Sequence, residues 1–465
     1  MIPDWSTSDD GALEDRPADQ EVGDPGAAVR ISVMGCGYLG AVHAAAMASL
    51  GHDVVGLDVD TAKVADLAAG RAPFFEPGLG ELLAEGARSG QLHFSSDVAA
   101  LTAAEVHFLC VGTPQRRGEN SADLRHVDAA VAQLLPHLKP GDLVVGKSTV
   151  PVGTAERIAE QVRAVEPAAT LVWNPEFLRE GHAVADTLAP DRLVYGVPEG
   201  PAGERAVAVL NRVYGKAVAE GTPVVVTDLT TAQLVKVAAN SFLATKISFI
   251  NAMAELCEAT GGDVVQLAEA IGYDARIGRR FLNAGLGFGG GCLPKDIRAF
   301  MARAGELGVD QALTFLREVD AINMRRRVRM VDLAREECGG SLAGRRVAVL
   351  GAAFKPDSDD VRDSPALSVA AQMSLQGADV VVTDPQAIAN ASAKWPDLVF
   401  AETVEETVRG AELVLLLTEW PEYVALDPAR VRTLVRRPRV LDGRNALDAE
   451  TWRAAGWSYR ALGRR

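Results

Sequence analysis

The sequence predicts an α/β protein: two doubly wound strand–helix segments with a helical stretch between them. Three observations carry that expectation. Near the amino end an apolar strand runs into glycines, a helix, a second strand and an acid. From Thr227 the pattern turns helical for roughly a hundred residues, with no strand-like alternation. At Arg345 the strand-and-turn pattern returns. A chain of 465 residues is long enough for two or three domains. The expected divisions are an acidic tail over 1–29, a dinucleotide-binding domain over 30–226, a helical domain over 227–340 and a second sheet domain over 341–465.

Composition narrows the function. Hydrophobic residues make up 48% and charged residues 23%, as in ordinary globular proteins. A net charge of −15 argues against nucleic acid or an anionic membrane as partner, and requires that any anionic ligand be held by local donors. No apolar run reaches the roughly 18 residues of a membrane span, and no secretory signal opens the chain. The five cysteines, at 36, 110, 257, 292 and 338, lack metal-ligand spacing. A reduced, cytoplasmic protein without a metal is expected. Residues 1–29 carry eight acids against a single arginine, with little to bury, so disorder is expected there.

Order begins at Val29-Arg-Ile-Ser-Val-Met, which runs into Gly35-Cys-Gly-Tyr-Leu-Gly40 and an alanine-rich helix over 41–50. A second strand ends on Asp58, 18 residues past Gly40, and together these elements make the dinucleotide fingerprint of a Rossmann fold. Pyrophosphate would sit on the helix N-terminus. Asp58 would accept from ribose hydroxyls and repel a 2′-phosphate, which favours NAD over NADP. Strands over 105–114 and 142–154 bring Thr113, Ser148 and Thr149 to the carboxyl ends of the sheet, the cofactor side. Next comes Asn174-Pro-Glu-Phe-Leu-Arg-Glu, in which Glu176 and Glu180 would share a face if helical. Following a strand and a proline, they suit a cleft, as water-orienting groups or general bases.

The helix over 231–251 has few charges and so belongs in a core or an interface. Lys236 and Asn240, one turn apart, share a face within it, and a buried lysine demands an acceptor or an anion. Residues 285–296 place Cys292 directly after Gly289, Gly290 and Gly291, with Lys295 and Asp296 close behind. Glycines let a backbone come close to a ligand, and a nearby lysine favours the nucleophilic thiolate. After a helix over about 311–337, strands at Arg345, 379–384 and 412–418 form the second sheet. It has only Gly351 at its first turn, so no second dinucleotide site is expected. Lys355, Arg362 and Arg444 are candidates to clamp phosphates.

With these pieces in order, the chain resembles the UDP-glucose/GDP-mannose dehydrogenase family from about residue 30 to 450. The resemblance rests on GCGYLG, VGTP, STVPVGT, NPEFLREG, TAQLVKVAANSFLATKISFIN, FGGGCLPKD, AFKPDSDDVRDSPAL and DGRN. It implies two Rossmann-like domains joined by a long central helix, with dimerisation through the helical region and the UDP-sugar in the carboxyl-terminal domain. It further implies a four-electron oxidation of a nucleotide sugar, a primary alcohol becoming a carboxylate at the expense of two NAD. In that scheme Cys292 attacks the intermediate aldehyde, and the thiohemiacetal becomes a thioester that water hydrolyses.

By the same resemblance, Lys236 and Asn240 hold oxyanions, and Asp296 with Thr149 and a water manages protons. Glu176 and Glu180 assist hydrolysis and positioning. For NAD it selects Gly35, Gly37, Tyr38, Leu39, Gly40, Asp58, Lys63, Val111, Thr113, Thr149, Glu180, Lys295 and Arg362. For the sugar nucleotide it selects Glu176, Phe177, Leu178, Glu180, Lys236, Asn240, Phe281, Asn283, Gly285, Phe288, Gly289, Phe354, Lys355 and Arg444. Arg276 corresponds to a residue that reaches the neighbouring subunit's substrate, so a homodimer is expected. Segments 189–194 and 274–282 favour UDP-glucose over GDP-mannose, and Lys295-Asp296 argues against N-acetylated sugars.

Two positions depart from the family pattern: Gly291, where serine is common, and Cys36, whose thiol in the fingerprint would make NAD binding sensitive to oxidation. The rivals from other classes are a two-electron hydroxyacid dehydrogenase, which needs no cysteine, and a non-catalytic NAD-binding protein.

Overall fold

The computed structural model describes residues 28–464. The acidic tail expected over 1–29 therefore lies outside the described residues, except at its end. There Val29 is buried and its N–H donates to His52 Nδ1 at 3.2 Å.

The first sheet has eight strands: β1 Arg30–Met34, β2 Asp53–Leu57, β3 Leu92–Ser95, β4 Val106–Leu109, β5 Leu143–Gly146, β6 Thr170–Trp173, β7 Leu193–Gly196 and β8 Val224–Thr227. Their spatial order is β3-β2-β1-β4-β5-β6-β7-β8. Over its first six strands the order is that of dinucleotide-binding sheets, which reverses between β1 and β4. Strands β4 and β5 are buried throughout, because helices cover both faces of a parallel sheet. The sheet is not wholly parallel: β7 runs antiparallel to β6, and β8 extends it in the direction of β7.

The second sheet comprises β9 Arg346–Leu350, β10 Asp379–Thr383, β11 Val399–Phe400, β12 Leu413–Leu416, β13 Arg439–Asp442 and β14 Ser458–Ala461. Its order, β11-β10-β9-β12-β13-β14, repeats the winding of the first sheet, with every pair parallel. Its first turn carries a single glycine. Gly351 has φ +110° and packs so tightly on Thr418 that a Cβ would lie 2.4 Å from that side chain.

Between the sheets runs a 32-residue helix, Leu229–Thr260, longer at both ends than the apolar pattern indicated. Asp228 caps its start by accepting the Thr231 N–H at 2.7 Å, and Gly261 in the left-handed region ends it. At 1.5 Å per residue it spans about 48 Å. It packs on the helices Leu293–Glu306 and Phe315–Glu337. The latter starts four residues later than expected, after a 3-10 turn over Asp310–Leu313. Buried Arg326 pairs with Glu258 at 3.1 Å, and Arg327 pairs with Asp363 at 2.9 Å, which ties the helical region to the second sheet. Among the described residues no helix is long and apolar enough to cross a membrane, and no acid, histidine or cysteine cluster could hold a metal.

Candidate active site

The cofactor side is built by the turn after β1. Gly35 has φ +88° and packs on Val111, where a Cβ would meet that side chain at 2.7 Å. Gly40 lies under the Gly35 carbonyl, where a Cβ would fall at 1.9 Å, so the first helix packs close to the strand. Gly37 has nothing within 4 Å of its Cβ direction and leaves room at the N-terminus of the helix Tyr38–Ser49, which no side chain caps. Tight, open and tight is the pattern a pyrophosphate requires. At the end of β2, Asp58 accepts from the Cys36 N–H and from Lys63 Nζ, each at 2.9 Å. Burial alone would raise its carboxyl, but the Asp60 N–H, Lys63 and the Cys36 N–H hold it below the usual range, so it stays ionised. These residues fit NAD. Asp58→Ala is expected to raise the KM for NAD about 10–100-fold through loss of charge-assisted hydrogen bonds, and to leave the KM for the sugar nucleotide unchanged.

Two fingerprint residues face elsewhere. Cys36 is buried and its thiol points to the Val33 and Leu57 carbonyls, with burial pushing its pKa up, so the expected oxidation sensitivity has no exposed thiol to act on. Tyr38 donates to Glu76 and accepts the Gly181 N–H at 2.8 Å, so its hydroxyl joins the cofactor helix to the next loop.

The two acids of that loop diverge. The chain from Asn174 to His182 is not helical, so Glu176 and Glu180 share no helix face. Glu176 pairs with Lys236 at 3.0 Å and accepts the Leu178 N–H at 2.8 Å. Lys236 and Asn240 are both buried on the central helix. Burial would lower the lysine, but Glu176, Cys292 and Asp296 together raise it, so the ammonium stays charged. Asn240 donates to Asp296 at 2.6 Å, and Asp296 pairs with Lys295 at 2.5 Å. Lys295 and Asp296 share a cavity with Thr113 and Thr149 at the ends of β4 and β5. Thr113 donates to the Thr149 carbonyl at 2.8 Å. Lys236, Asn240, Asp296, Glu176 and Cys292 thus gather where the central helix meets the cofactor sheet.

Cys292 corrects the sequence reading. Its thiol is pushed up to about 12, first by the protein around the cleft, then by the carboxylates of Asp296 and Glu176, with Lys236 opposing. Its surface is nevertheless open to solvent, so water screens part of that penalty. Lys295 does not activate it, because that charge is spent on Asp296. The glycines before it serve packing on the second sheet's domain. A Cβ on Gly289 would lie 2.4 Å from the Asp363 carbonyl, on Gly290 2.8 Å from the Phe354 ring, and on Gly291 2.2 Å from Arg362. A serine at 291 would require Arg362 to move.

Glu180 lies at the seam between the two sheet domains. Arg362 donates to its carboxylate at 3.0 Å, and Lys355 donates to its backbone carbonyl. Its carboxyl is pushed up to about 7, first by burial and then by Asp360, with Arg362 and Lys355 opposing. A carboxyl raised in the folded state binds its proton more tightly there than in the unfolded chain. Its share of stability is therefore full below the ordinary 4.5 and is lost as pH rises through about 7. Ligand-free Glu180→Gln is expected to gain on the wild type between those limits, by roughly 1–3 kcal/mol in all, read as a growing Tm difference. A Tm difference independent of pH would contradict this.

On the sugar-nucleotide side, Arg279, Asn283, Gly285, Gly287, Glu419 and Arg444 line a cavity of about 240 Å³. Arg444 donates to the carbonyls of Leu417, Gly287 and Phe354 and pairs with Glu419 at 3.3 Å, so it shapes this cavity as much as it charges it. Phe281 is partly exposed with φ 66°. Phe288 instead belongs to the core, its backbone bracketed by Asn323. Phe177 stacks under Arg192 and Lys236, and Leu178 and Leu39 pack against the first sheet's core. Arg276 is exposed and pairs with Asp274 at 2.7 Å.

Sequence reasoning missed Glu76 and Lys147. Buried Glu76 accepts the Gly181 and Ala183 N–H groups, each at 2.7 Å, and so fixes the chain beside Glu180. Nothing in the Phe-Phe-Glu-Pro run announces this, since a lone acid before a proline reads as surface.

A dinucleotide cradle at the reversal of a doubly wound sheet, with a charged cluster beside it, defines an NAD-dependent oxidoreductase. Residues 29–218, 230–325 and 348–449 match the NAD binding, central and UDP binding domains of the UDP-glucose/GDP-mannose dehydrogenase family. The chain belongs to that family, whose members are NAD-dependent nucleotide-sugar dehydrogenases. It is 41% identical over 439 residues to the UDP-glucose 6-dehydrogenase of Rhizobium meliloti (strain 1021), covering 94% of this chain and 100% of that one. It superposes on a UDP-glucose dehydrogenase from Pyrobaculum islandicum with a TM-score of 0.85 at 39% identity, covering 95% and 99% of the two chains. A UDP-D-ManNAc dehydrogenase from Pyrococcus horikoshii gives 0.80 at 26% identity, covering 94% and 99%.

Proposed function

We propose that the enzyme oxidises UDP-glucose to UDP-glucuronate through a thioester on Cys292. The observation that carries this is the meeting of an accessible cysteine with Lys236, Asn240 and Asp296 beside the cofactor cradle. Bound NAD supplies the electron acceptor for both oxidations. Lys236 and Asn240 hold the developing oxyanion by charge and hydrogen bond. Asp296, with Thr149 and a water, takes the alcohol proton. The Cys292 sulfur then adds to the aldehyde carbon, forming the C–S bond as the carbonyl π bond opens to an oxyanion beside Lys236 and Asn240, which takes a proton to give the thiohemiacetal. Because the thiol is held protonated, its proton leaves to a neighbouring carboxylate in the same step. After the second oxidation, water attacks the thioester with Glu176 accepting a proton, the C–S bond breaks and the thiol is restored. One alcohol, one water and two NAD give one carboxylate, two NADH and three protons.

The choice of UDP-glucose is supported by the identities of 41% and 39% to proteins named for it, against 26% to the dehydrogenase of an N-acetylated sugar. Under this reading the domain from 341 onward holds the nucleotide. A homodimer completes it: Phe242, Phe249 and Leu256 stand exposed at seven-residue spacing along the central helix, a stripe suited to a second copy. Arg276, exposed on the same region, would then reach the partner's site. The test is initial rates with UDP-glucose, GDP-mannose and UDP-N-acetylmannosamine. UDP-glucose is expected to lead in kcat/KM by about 100-fold or more. A lead for either other sugar would overturn the assignment.

A further inference from the structure

Behind the Asn174–Leu178 loop lies a polar cavity lined by His43, Lys147, Asn174, Glu176 and Tyr214 among others. Lys147 follows β5, is 6% exposed and makes no ion pair among the described residues. Its ammonium donates to Asn174 Oδ1 at 2.9 Å and to the Tyr214 hydroxyl at 3.1 Å, and stands near the Phe108 and Tyr214 rings. Tyr214 donates to the same Asn174 oxygen at 2.7 Å, and Asn174 Nδ2 donates to the Val194 carbonyl at 2.9 Å. The Asn174 N–H is held by the Gly146 carbonyl at 2.8 Å. Asn174 is therefore fixed by backbone and side chain together, and Glu176 follows it across a single proline.

An unpaired buried ammonium is expensive, and an apolar side chain of its size would fill the space at less penalty. Burial does pull Lys147 down, to about 8, yet leaves it charged in much of the population at neutral pH. His43 beside it is 1% exposed with both ring nitrogens unpartnered, so the cavity offers polar groups beyond those the lysine uses. A charge retained at the foot of the loop bearing Glu176 has a use that packing alone lacks.

We propose that Lys147 is a positioning residue for the hydrolytic step: by clamping Asn174 it fixes the Pro175 turn that holds Glu176 toward the cysteine. The inference rests on the thioester reading above, with Glu176 assisting hydrolysis. Loss of the clamp loosens Glu176, slows water attack, and leaves acyl enzyme waiting on Cys292. The cradle after β1, where NAD would bind, makes none of these contacts and is unaffected.

The test is Lys147→Met, mixed with UDP-glucose and excess NAD, acid-quenched and weighed as intact protein, beside wild type and Glu176→Gln. The variant is expected to carry a sugar-nucleotide adduct on about half or more of its chains, with kcat down about 10–100-fold and the KM for UDP-glucose falling with it, as slowed deacylation requires. Adduct in Glu176→Gln but none in Lys147→Met would overturn the role of Lys147. Adduct in neither would overturn the hydrolytic role of Glu176, and the proposal with it. Should Lys147→Met not fold, Tyr214→Phe keeps the ring and removes one hydrogen bond to Asn174. It is expected to show a smaller adduct population, and none would contradict the clamp.

Discussion

Cys292→Ala is expected to abolish complete oxidation, lowering the rate of carboxylate formation by at least about 10³-fold. The loss is chemical, because the side chain is open at the cleft and small, so its removal leaves little cavity and no unpaired charge. The cradle of Gly35, Gly37, Gly40 and Asp58 that fits NAD is left intact, so the Kd for NAD is expected not to change. Any residual activity should stop at the aldehyde or its hydrate. A two-electron hydroxyacid dehydrogenase would keep full turnover in this variant. Steady-state NADH production together with fluorescence titration of NADH separates the two.

Lys236→Met should lose nearly as much for a different reason. Removing an oxyanion donor typically costs about 10²–10³-fold in kcat. It also strands the Glu176 carboxylate, which is largely buried and has Lys236 as its ion-pair partner at 3.0 Å. Breaking a buried pair from one side destabilises by about 3–5 kcal/mol, less here because Glu176 keeps some solvent. The variant should therefore be both inactive and lower in Tm. Adding Glu176→Gln removes the stranded charge, so the double variant should recover most of the Tm and none of the activity. Recovery of activity would mean that Lys236 merely balances Glu176.

Much of this site was legible in the sequence because local pattern and chemistry agree there. Of the three fingerprint glycines, Gly35 packs on Val111, Gly37 faces open space and Gly40 lies under the Gly35 carbonyl, and their spacing encodes that pattern. Lys236 and Asn240 share a face because a helix turn separates them, and the buried helix around them follows from its scarcity of charge. What the sequence could not give was how the charges pair. Lys295 is spent on the acid next to it, whereas Glu176 and Glu180, four residues apart, turn to opposite partners because the chain between them is a loop. The three glycines before Cys292 answer to Asp363, Phe354 and Arg362, some 70 residues away, and no local window reveals such a contact. Glu76 and Lys147 were invisible for the same reason, since their partners lie far along the chain.

The central claim, a double oxidation through Cys292, is tested most directly by running the reaction to completion with limiting UDP-glucose and counting NADH. Two NADH per sugar, with the carboxylate as sole product, is the expected result. One NADH per sugar, with aldehyde accumulating, would contradict the thioester route and the role given to Cys292.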